Sequence, residues 1–485
     1  MHSLLTSEQV RAAEARVLRR GVDNKYLRMS AATAVADAIF CRAHADGTKT
    51  AVFCGGGGNG CDGILIAAIL HGRGCTVAAY LVGEQSDENK SAAAYAVSEG
   101  LPVYGAQSYD GDADIVIDAI FGIGLNRAVS GATADLIEFL NSSKKAFRLA
   151  VDIPSGLNAD SGEVMGAAFR ADVTVTFSCY KRGMLFGGRD FCGRIVVADI
   201  GVEAVSDVKV YEHSDFAVHR RKTDAHKGTC GRVFVIGGCG RMIGAPVMSG
   251  AAAHAAHLNG AGTVTVCLPK MLRVAAASRC TMSMMKFLSD TPDGYIRFVK
   301  SEFDEIIRRA DAIDIGMGMG ETPDLRKMLE YLCANFDGAL ILDADALNAI
   351  KGDYGFLAGR AEITVTPHVG EFERLTGQAA TLENAMALAR EIKGIVVLKS
   401  ATTVITNGRD ARVNIAGTPA MAKGGMGDLL GGAISALVCS YPLYDAATVA
   451  CYRNGIGAER AVSSYAELML TARDVLNYGY FKELY

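Results

Sequence analysis

The sequence predicts an α/β protein of two domains, each built as a mostly parallel sheet between two layers of helices. With 485 residues, the chain exceeds the roughly 250 to 300 residues at which one hydrophobic core stops growing. Short β-branched segments alternate with helical stretches, which is typical of parallel sheets covered on both faces. Each half also begins with a strand that leads into a glycine-rich turn, at residues 55–58 and 237–238. We therefore expect two separate nucleotide-handling domains.

Composition and charge favour a small metabolite as the ligand. The formal net charge is -4 and there is no dense run of Lys and Arg, which argues against a nucleic acid or an anionic membrane as the partner. The 13 cysteines are scattered without a Cys-x-x-Cys pair, so we expect reduced thiols, with neither disulfides nor zinc. The N-terminus does not resemble a signal peptide, and no apolar stretch is long enough to span a bilayer. We expect a cytoplasmic protein.

The secondary structure elements follow from local patterns. Thr6 and Gln9 form a capping-box pattern, so a helix is expected to run from there through Arg20 and to stop at Gly21. Strands are predicted at residues 51–54, 76–81, 114–118, 148–152, 172–177 and 195–199, and then at 232–236, 263–268, 312–315, 339–343, 362–366 and 395–399. Residues 202–223 break this rhythm and end in a basic cluster at 219–222. The predicted domains are therefore residues 1–215 and 221–485.

The first glycine-rich loop, residues 55–63, follows a strand and precedes an apolar helix, so its backbone N–H groups can approach an anion. A tight turn without a ligand is an equally good interpretation of this loop alone. Asp118 and Asp152 each end an apolar strand and precede a glycine-containing loop, at the edge where open α/β sheets bind ligands. One strand-end aspartate is often a helix cap. Three such loops in succession favour a binding site.

These loops resemble the NAD(P)H-hydrate epimerase domain, a Rossmann-like fold, over roughly residues 4–201. The resemblance rests on the 55–63 loop, Asp118-Ala119-Ile120-Phe121-Gly122, the 151–157 segment and Lys181-Arg182-Gly183. Gly56, Gly58 and Cys61 stand where the family usually has Pro, Asn and Gly. A weakened epimerase, or a binding or oligomerisation module, is therefore the alternative for this domain.

The resemblance implies a potassium ion held by Asn59, Asp118 and Ser155, whose oxygen donors suit a hard cation. It implies that Asp152 contacts the hydrated ring. It implies that the rest of the substrate is contacted by Gly58, Asn59, Gly60, Cys61, Asp62, Gly122, Ile123, Gly124, Leu125, Asn126, Arg127 and Ala128. Inverting the carbon that bears the hydroxyl requires a carboxylate that exchanges protons. Asp152 and Asp118 are both candidates for this catalytic role, and the sequence does not choose between them.

The second glycine-rich loop, residues 422–432, is the most informative stretch of the chain. Gly424, Gly425 and Gly427 allow consecutive N–H groups to converge on an anion just before a long helix, and Asp428 lies at the start of that helix. Such a loop stabilises charge during phosphoryl transfer, while the aspartate can accept the proton of an attacking hydroxyl. The alternative is a flexible turn with a first-turn carboxylate stabilised by the helix dipole.

This loop resembles the GxGD motif of the ribokinase-like superfamily and, more narrowly, its ADP/ATP-dependent NAD(P)H-hydrate dehydratase branch, over about residues 221–477. Supporting motifs occur in the family order at residues 226–228, 237–238, 244–246, 259–262, 316–320, 342–348, 366–371 and 398–403. Met317 and Met426 depart from the usual Pro and Thr or Ser. Backbone donors should survive these changes, because an N–H does not depend on the side chain.

The resemblance implies that ADP or ATP, with Mg²⁺, is the co-substrate. It places the nucleotide at Lys399, Ser400, Ala401, Thr402, Thr403 and Gly427. It places the hydrated nicotinamide at Ala245, Gly318, His368 and Asp428, with Asp428 as the catalytic general base. Asp343 and Asp345 would either order the Mg²⁺ ion indirectly or cap the next helix.

The function expected from both resemblances is repair of hydrated NADH and NADPH by a homo-oligomeric lyase and isomerase. The first domain would interconvert the R and S hydrates, and the second would dehydrate the S form. Two alternatives remain: a dehydratase with a degenerate first domain, or a kinase of hydroxymethylpyrimidines or sugars.

Overall fold

The computed structural model describes residues 1–215, 223–256, 261–280, 283–359, 362–464 and 466–481. The chain divides into two compact units, His2–Ser206 and Asp207–Tyr485, the latter together with Met1. The predicted basic cluster at 219–222 and residues 259–260 of one motif lie outside the described residues. Both units are α/β, as predicted.

The division falls earlier than the sequence suggested. The predicted first domain extended to residue 215, whereas the strand Val208–Tyr211 pairs in parallel with Ala411–Asn414 of the second unit. This strand is hydrogen-bonded to residues that are distant from it in the sequence. A change in local pattern therefore could not reveal which unit the segment belongs to.

Within residues 2–206, all of them described, seven parallel strands form one sheet in the order β4-β3-β2-β5-β6-β7-β9. A short parallel pair, β1 with β8, lies outside that sheet. The strands are β1 (His2–Leu5), β2 (Lys49–Cys54), β3 (Thr76–Leu81), β4 (Val103–Gly105), β5 (Ile115–Ala119), β6 (Phe147–Val151), β7 (Val173–Phe177), β8 (Tyr180–Lys181) and β9 (Arg194–Ala198). The helices are α1 (Ser7–Arg19), α2 (Asn24–Ala43), α3 (Gly58–Gly72), α4 (Asp87–Ser98), α5 (Ala132–Ser142), α6 (Arg182–Phe186) and α7 (Arg189–Cys192).

The strand order reverses between β2 and β5, which lie side by side while the chain leaves them in opposite directions. Open α/β sheets bind ligands in the crevice outside such a reversal, at the carboxyl ends of the strands. The first glycine-rich loop follows β2, and Asp118 is the fourth residue of β5. The fold therefore brings these two predicted features to one place.

Helix α1 begins as predicted. Thr6 is its N-cap and forms a complete capping box with Gln9, and the helix ends at Arg19, next to Arg20 as its C-cap. Gly21 follows with a φ of +91°, in the left-handed region that favours glycine. The predicted helix is confirmed.

In the described part of the second unit, ten strands form a sheet in the order β13-β12-β11-β14-β15-β16-β17-β18-β19-β10. The strands are β10 (Val208–Tyr211), β11 (Arg232–Ile236), β12 (Thr263–Pro269), β13 (Met284–Leu288), β14 (Ala312–Ile315), β15 (Ala339–Leu342), β16 (Glu362–Val365), β17 (Ile395–Leu398), β18 (Thr403–Thr406) and β19 (Ala411–Asn414). The helices are α8 (Gly244–Ala256), α9 (Arg273–Ala277), α10 (Lys300–Ile307), α11 (Pro323–Asn335), α12 (Asp345–Asn348), α13 (Val369–Thr376), α14 (Leu382–Ile392), α15 (Met426–Leu437), α16 (Leu443–Val462) and α17 (Ala472–Leu476). Here too the order reverses, between β11 and β14.

The twelve predicted strands are all present, with ends shifted by two residues at most. The strands that the sequence did not predict are short. One of them, β13, contains two methionines and no β-branched residue, so it lacks the composition typical of a strand. The antiparallel hairpin β18–β19 had a usable signal, because Asn407-Gly408 lies in its loop and Asn-Gly is a strong hairpin turn. None of the helices in the described ranges is both long and apolar enough to cross a membrane.

Phe53 is part of a hydrophobic core of the first unit. It is fully buried on β2, stacks on Tyr80 at 5.2 Å between ring centroids, and meets Tyr109 edge-on at 5.0 Å. Offset and edge-on aromatic contacts add to the free energy gained from burying the rings.

Phe53→Ala is expected to lower the free energy of unfolding of the first unit by about 3 to 5 kcal/mol, because it leaves a cavity among these rings. Tyr95→Ala is the matched control: Tyr95 lies on α4 and is 67% exposed, so its loss should change stability by less than about 0.5 kcal/mol. Urea denaturation of both variants measures the difference, and equal midpoints would contradict this account of the core.

Candidate functional site

A cavity of about 1020 Å³ lies in the first unit, beside the carboxyl ends of β2, β5 and β6. Such a volume is at the upper end of small-molecule pockets. Residues that the sequence predicted as substrate contacts form much of its wall: Gly58, Asn59, Asp62, Gly122, Ile123, Gly124, Leu125, Asn126, Arg127 and Asp152. The rest of the wall comes from α1, α2 and the loops after β2, β3 and β5, together with Thr133, Phe177 and Ile200. The sequence interpretation did not assign α1, α2 or the loop after β3 to a site.

Three predicted contacts are absent from this wall. Gly60 and Cys61 are buried beneath the loop, and Ala128 is exposed beyond the cavity lining. A Cβ at Gly60 would come within 1.7 Å of the Gly55 carbonyl oxygen, so the loop folds tightly back on itself there. The role of these three residues in substrate binding stays a prediction.

Asp118 and Ser155 lie behind the cavity wall, and both are fully buried. The Asp118 carboxylate accepts hydrogen bonds from the Ser155 hydroxyl at 2.6 Å, the Ser155 N–H at 2.8 Å and the Ile120 N–H at 3.1 Å. Burial raises the pKa of Asp118 to about 6, although these hydrogen bonds oppose the shift. Asp118 thus braces the loop after β6 against the end of β5, and it is not among the residues that line the cavity.

The Asn59 amide lies between two backbone carbonyl groups. Its Nδ2 donates to the Phe121 oxygen at 3.1 Å and to the Val151 oxygen at 3.3 Å. Ser155 Oγ also lies 3.3 Å from the Phe121 oxygen. Carbonyl, hydroxyl and carboxylate oxygens therefore gather here beside the Asn59 N–H group, and such a donor set of low charge fits a monovalent cation. Among the residues that the structure describes, no group of three or more His, Cys, Asp or Glu side chains is placed to hold a metal ion.

Asp152 lines the cavity in an unusual backbone conformation. Its φ of +66° lies in the left-handed region, which costs free energy for a residue other than glycine. Its Oδ1 is ion-paired with the Lys181 ammonium group and also accepts from Thr176 Oγ1 and the Phe177 N–H, each at 3.3 Å. Lys181 is only 1% exposed. Asp152 is therefore a carboxylate held in place from behind while it faces the cavity.

A second carboxyl group at the cavity, Asp62, is paired with Arg28. Arg28 Nη1 lies 3.4 Å from Asp62 Oδ1, and it also donates to the Gly58 carbonyl at 3.0 Å. Burial raises the pKa of Asp62 to about 7, despite the opposing effect of Arg28 and with a further increase from the charge of Asp152. Arg28 thus links α2 to the glycine-rich loop.

In the second unit, the glycine-rich loop leads into α15. Gly425 is the N-cap, with a φ of +92° and no side-chain cap, so the first N–H groups of the helix are not satisfied by a capping side chain. A Cβ at Gly427 would lie 3.1 Å from Asp343 Oδ2 and 3.2 Å from Lys399 Nζ. The helix start therefore approaches the carboxyl ends of β15 and β17 closely. Lys423 is turned elsewhere, since its Nζ donates to the carbonyls of Leu468 and Leu470.

Lys399 and Asp343 form an ion pair at this edge. Lys399 Nζ lies 2.7 Å from Asp343 Oδ1, which also accepts from Thr366 Oγ1 at 2.8 Å, and Glu371 lies 4.0 Å from the ammonium group. Burial by itself would lower the pKa of Lys399, but the charges of Asp343 and Glu371 outweigh it and raise that pKa. Lys399 therefore remains a cation beside the glycine-rich helix start.

Asp428 is half-buried in the first turn of α15. Burial and then the charge of Asp343 raise its pKa to about 6, while Lys399 opposes the shift. A carboxyl group with a pKa near neutrality can both accept and release a proton, as a general base must.

The other predicted residues of the second unit have distinct positions. His368 is the N-cap of α13, where its Nδ1 accepts from the Glu371 N–H at 3.2 Å, and its side chain is 53% exposed. Ala245 lies in the first turn of α8, and the buried Gly318 has a φ of +67° next to Met242. Ser400, Ala401, Thr402 and Thr403 connect β17 to β18, with Ser400 Oγ donating to the Thr402 carbonyl. These roles in binding stay predictions.

One alternative for the aspartates after β15 is wrong. Neither Asp343 nor Asp345 caps α12, because Ala344 is its N-cap and makes no side-chain hydrogen bond. Asp343 is paired with Lys399, and Asp345 accepts the Gly320 N–H at 2.7 Å. Both carboxylates therefore position loops around the sheet edge.

Comparison with known proteins identifies the family. A family model described as NAD(P)H-hydrate dehydratase matches residues 233–478, and one described as YjeF-related protein N-terminus matches residues 24–183. The bifunctional NAD(P)H-hydrate repair enzyme of Hyperthermus butylicus is 32% identical over 97% of this chain and 90% of its own length. The chain belongs to the bifunctional NAD(P)H-hydrate repair enzyme family.

Other members of the repair enzyme family agree. The relatives from Coxiella burnetii and Escherichia coli are each 32% identical, over 98% and 90% of this chain and over 98% and 85% of their own lengths. Among solved structures, the ADP/ATP-dependent NAD(P)H-hydrate dehydratase of Bacillus subtilis, co-crystallised with ATP and Mg²⁺, is 26% identical, with a TM-score of 0.46, over 54% of this chain and 91% of that one. The family resemblance predicted from the two sets of motifs is confirmed.

One departure from the repair family's glycine-loop pattern has a local explanation. A Cβ at Gly56 would lie 2.1 Å from the Glu84 carbonyl oxygen, so the loop after β3 is too close for any side chain there. A Cβ at Gly58 would make only ordinary van der Waals contact with the Arg28 guanidinium group, at 3.6 Å, so the structure does not explain the glycine there. The altered loop therefore keeps a compact form in which Asn59 still reaches the two carbonyls.

Sequence reasoning missed several groups at these two sites of the repair enzyme. Lys181 is part of the Lys181-Arg182-Gly183 motif, but the sequence did not predict a role for its side chain. The sequence also did not place Arg28 or Glu14 at the cavity. Asp314 was missed although its signal is plain, since it is a carboxylate inside the apolar strand β14. It is fully buried: Oδ2 accepts from Ser249 Oγ at 2.6 Å, and Oδ1 has no hydrogen-bond partner among the described residues. Burial raises the pKa of Asp314 well above its usual value.

Asp314→Asn is expected to raise the free energy of unfolding at pH 7 and above. The pKa of Asp314 is higher in the folded state than in the unfolded state. The wild type therefore loses stability as the pH rises from the unfolded-state pKa to the folded-state pKa. The loss is about 1.4 kcal/mol for each unit by which the two pKa values differ. Asparagine does not titrate, and the gain should therefore disappear near pH 4. Denaturation curves from pH 4 to 8 measure this, and a gain that does not depend on pH would contradict it.

Proposed function

We propose that this chain repairs hydrated NADH and NADPH in two steps, epimerising the R and S hydrates in the first unit and dehydrating the S hydrate with an adenine nucleotide in the second. The observation that carries the proposal is the 32% identity with bifunctional repair enzymes over 97% of the chain. Both units also place a lysine–aspartate pair at the edge of the sheet where ligands bind. None of the thirteen cysteines, all in described ranges, forms a disulfide, which supports a cytoplasmic setting.

For the first step, Asp152 is the proton-exchanging carboxylate at the hydrated ring. Of the two candidates, Asp118 is sealed behind the wall and accepts three hydrogen bonds from its own loop region, whereas Asp152 lines the cavity. Asn59, Asp118 and Ser155 would hold a potassium ion, with help from the Phe121 carbonyl. A bound cation would stabilise negative charge on a nearby phosphate or carboxylate.

For the second step, Asp428 accepts the proton of the ring hydroxyl as the hydroxyl oxygen attacks the terminal phosphoryl group of ADP or ATP. The bond between that phosphorus and the bridging oxygen breaks, and AMP or ADP leaves with the electron pair. The N–H groups at the start of α15 and the Lys399 cation stabilise the charge that develops on the phosphoryl oxygens. The ring nitrogen then expels phosphate, and loss of a neighbouring proton restores the double bond. Residues 399–403, Ala245, Gly318 and His368 would contact the nucleotide and the ring.

Mg²⁺ would be bound mainly through the nucleotide phosphates, where it neutralises their charge. Asp343 and Asp345 are already paired with Lys399 and the Gly320 N–H. The resemblance further supports a homo-oligomer, and light scattering after size-exclusion chromatography measures its size.

The dehydratase-only and kinase alternatives have less support. The family match includes a model for each unit, and the repair relatives extend over nearly the whole chain. A kinase would release a stable phosphorylated product, whereas repair restores the absorbance of the reduced nicotinamide.

The two activities should be separable by substitution. Asp428→Ala should lower nucleotide-dependent recovery of NADH from its S hydrate by about 10²-fold or more, because it removes the general base. The same variant should interconvert the R and S hydrates at the wild-type rate.

Asp152→Asn is the reciprocal variant, with lost epimerisation and unchanged dehydration of purified S hydrate. Absorbance recovery and chromatographic separation of the two hydrates measure the activities in each variant. Full dehydratase activity in Asp428→Ala would reject the proposed base.

The dehydratase should also depend on pH through Asp428. Since the base acts as a carboxylate and its pKa is raised to about 6, kcat/KM should rise about tenfold per pH unit below pH 6 and level off above pH 7. Initial rates on the S hydrate, corrected for the rate without enzyme, give the profile. A rate that is constant from pH 5 to 8 would exclude titration of the base in this range.

A further inference from the structure

Helix α1 presents one stripe of side chains to the cavity of the first unit. Arg11, Glu14 and Leu18 line the cavity at helical spacing, while Val10, Ala13 and Val17 of the neighbouring stripe are buried. The helix is fixed at its start, where Asp160 accepts from the Ser7 N–H at 2.6 Å and from the Ser7 hydroxyl at 2.7 Å. Glu14 is therefore held on a rigid element at the cavity wall.

The Glu14 carboxyl group differs from Asp152 and Asp62, two other acidic groups at this cavity. Across the described ranges of the chain, no group is hydrogen-bonded or ion-paired to it. Asp152, in contrast, is ion-paired with Lys181, and Asp62 is paired with Arg28. Glu84 also lines the wall, but it is exposed, whereas Glu14 is half-buried. Glu14 is thus a half-buried acidic side chain of this wall that is available to a ligand.

Burial and the negative charge of Asp152 favour the protonated form of Glu14. Burial and then the negative charge of Asp152 raise the pKa of Glu14, against the effects of Lys181, Arg11 and Arg28. Asp62, on α3, adds a further acidic group that is coupled to Glu14. Two carboxyl groups that face one cavity from different surroundings, Glu14 without a protein partner and Asp152 ion-paired with Lys181, are a usual arrangement of an acid and a base.

We propose that Glu14 is a second catalytic residue of the epimerase site, acting as the proton donor while Asp152 acts as the proton acceptor. The proposal rests on the epimerase activity proposed above. Glu14 comes from α1 and Asp152 from the end of β6, so the two carboxyl groups approach the cavity from different elements. An epimerase needs this, because water must leave one face of the ring and return to the other.

The reaction balances with these two groups and water. Glu14 donates its proton to the hydroxyl oxygen, the carbon–oxygen bond breaks with its electron pair leaving on water, and the ring-nitrogen lone pair forms a carbon–nitrogen double bond. A water molecule then attacks the same carbon from the other face, and that double-bond pair returns to nitrogen. Asp152 accepts the proton of the attacking water. In the reverse direction the two carboxyl groups exchange roles, and no oxidant or cofactor is consumed.

The test uses the full chain with purified R hydrate of NADH and no nucleotide, so that only epimerisation is measured. Glu14→Gln is expected to slow formation of the S hydrate by about 10²-fold or more. Glu14→Asp should retain part of the rate, because it keeps a carboxylic acid. Glu8→Gln is the matched control, since Glu8 is an exposed residue of the same helix, and it should leave the rate unchanged.

The pH profile separates a catalytic role from a structural one. The wild-type rate should fall at high pH as Glu14 loses its proton, and Glu14→Gln should lose this alkaline limb. Dehydration of purified S hydrate with ATP, measured on the same samples, reports whether the variant chain is folded.

The possible outcomes are distinct. A wild-type chain that does not interconvert the hydrates would refute the proposed epimerase itself. An active wild type with a Glu14→Gln rate lowered less than tenfold, or with the alkaline limb intact in that variant, would overturn the role of Glu14 alone. A wild-type profile without an alkaline limb would overturn it as well.

Discussion

A buried lysine–aspartate ion pair at the edge of a parallel sheet is the interaction on which each site depends. In the first unit the Lys181 ammonium group binds Asp152, and in the second Lys399 binds Asp343. Removing such charges from water is costly, and the cost is met only when hydrogen bonds satisfy the remaining donors and acceptors. Thr176 and Thr366 supply those hydrogen bonds, each from a neighbouring strand or strand end. The pairs therefore fix the loops that carry the ligand-facing groups.

The topology explains why these groups meet. In both units the strand order reverses beside the strand that feeds the glycine-rich turn, and the polar residues follow the carboxyl ends of adjacent parallel strands. Parallel strands all end at the same edge, so residues far apart along the chain converge without a special contact. Gly427 also approaches Asp343 and Lys399 closely, and a side chain there would press on the ion pair.

Environment then gives similar carboxyl groups different tasks. Asp118 is sealed and braces two loops, Asp152 is a paired carboxylate at the cavity, and Glu14 is left without a protein partner among the described residues. In the second unit, Asp314 is fully buried, and only one of its two carboxylate oxygens accepts a hydrogen bond within the described residues. Asp428, in the first turn of α15, is only half-buried. Desolvation and neighbouring charge, more than residue type, decide which of these groups can exchange a proton.

The sequence by itself determined the α/β class, the twelve main strands, the helix start at Thr6 and the family, because strand alternation, capping and glycine-rich motifs are local patterns. It also placed Asn59, Asp152, Asp428 and Lys399 at strand ends or loops that the fold brings to an edge. Only the tertiary structure decided that Val208–Tyr211 belongs to the second unit, that Lys181 is the partner of Asp152, and that Glu14 of α1 faces the same cavity. Each of these depends on contacts between residues distant in the chain, and local sequence patterns do not record which distant residues will pack together.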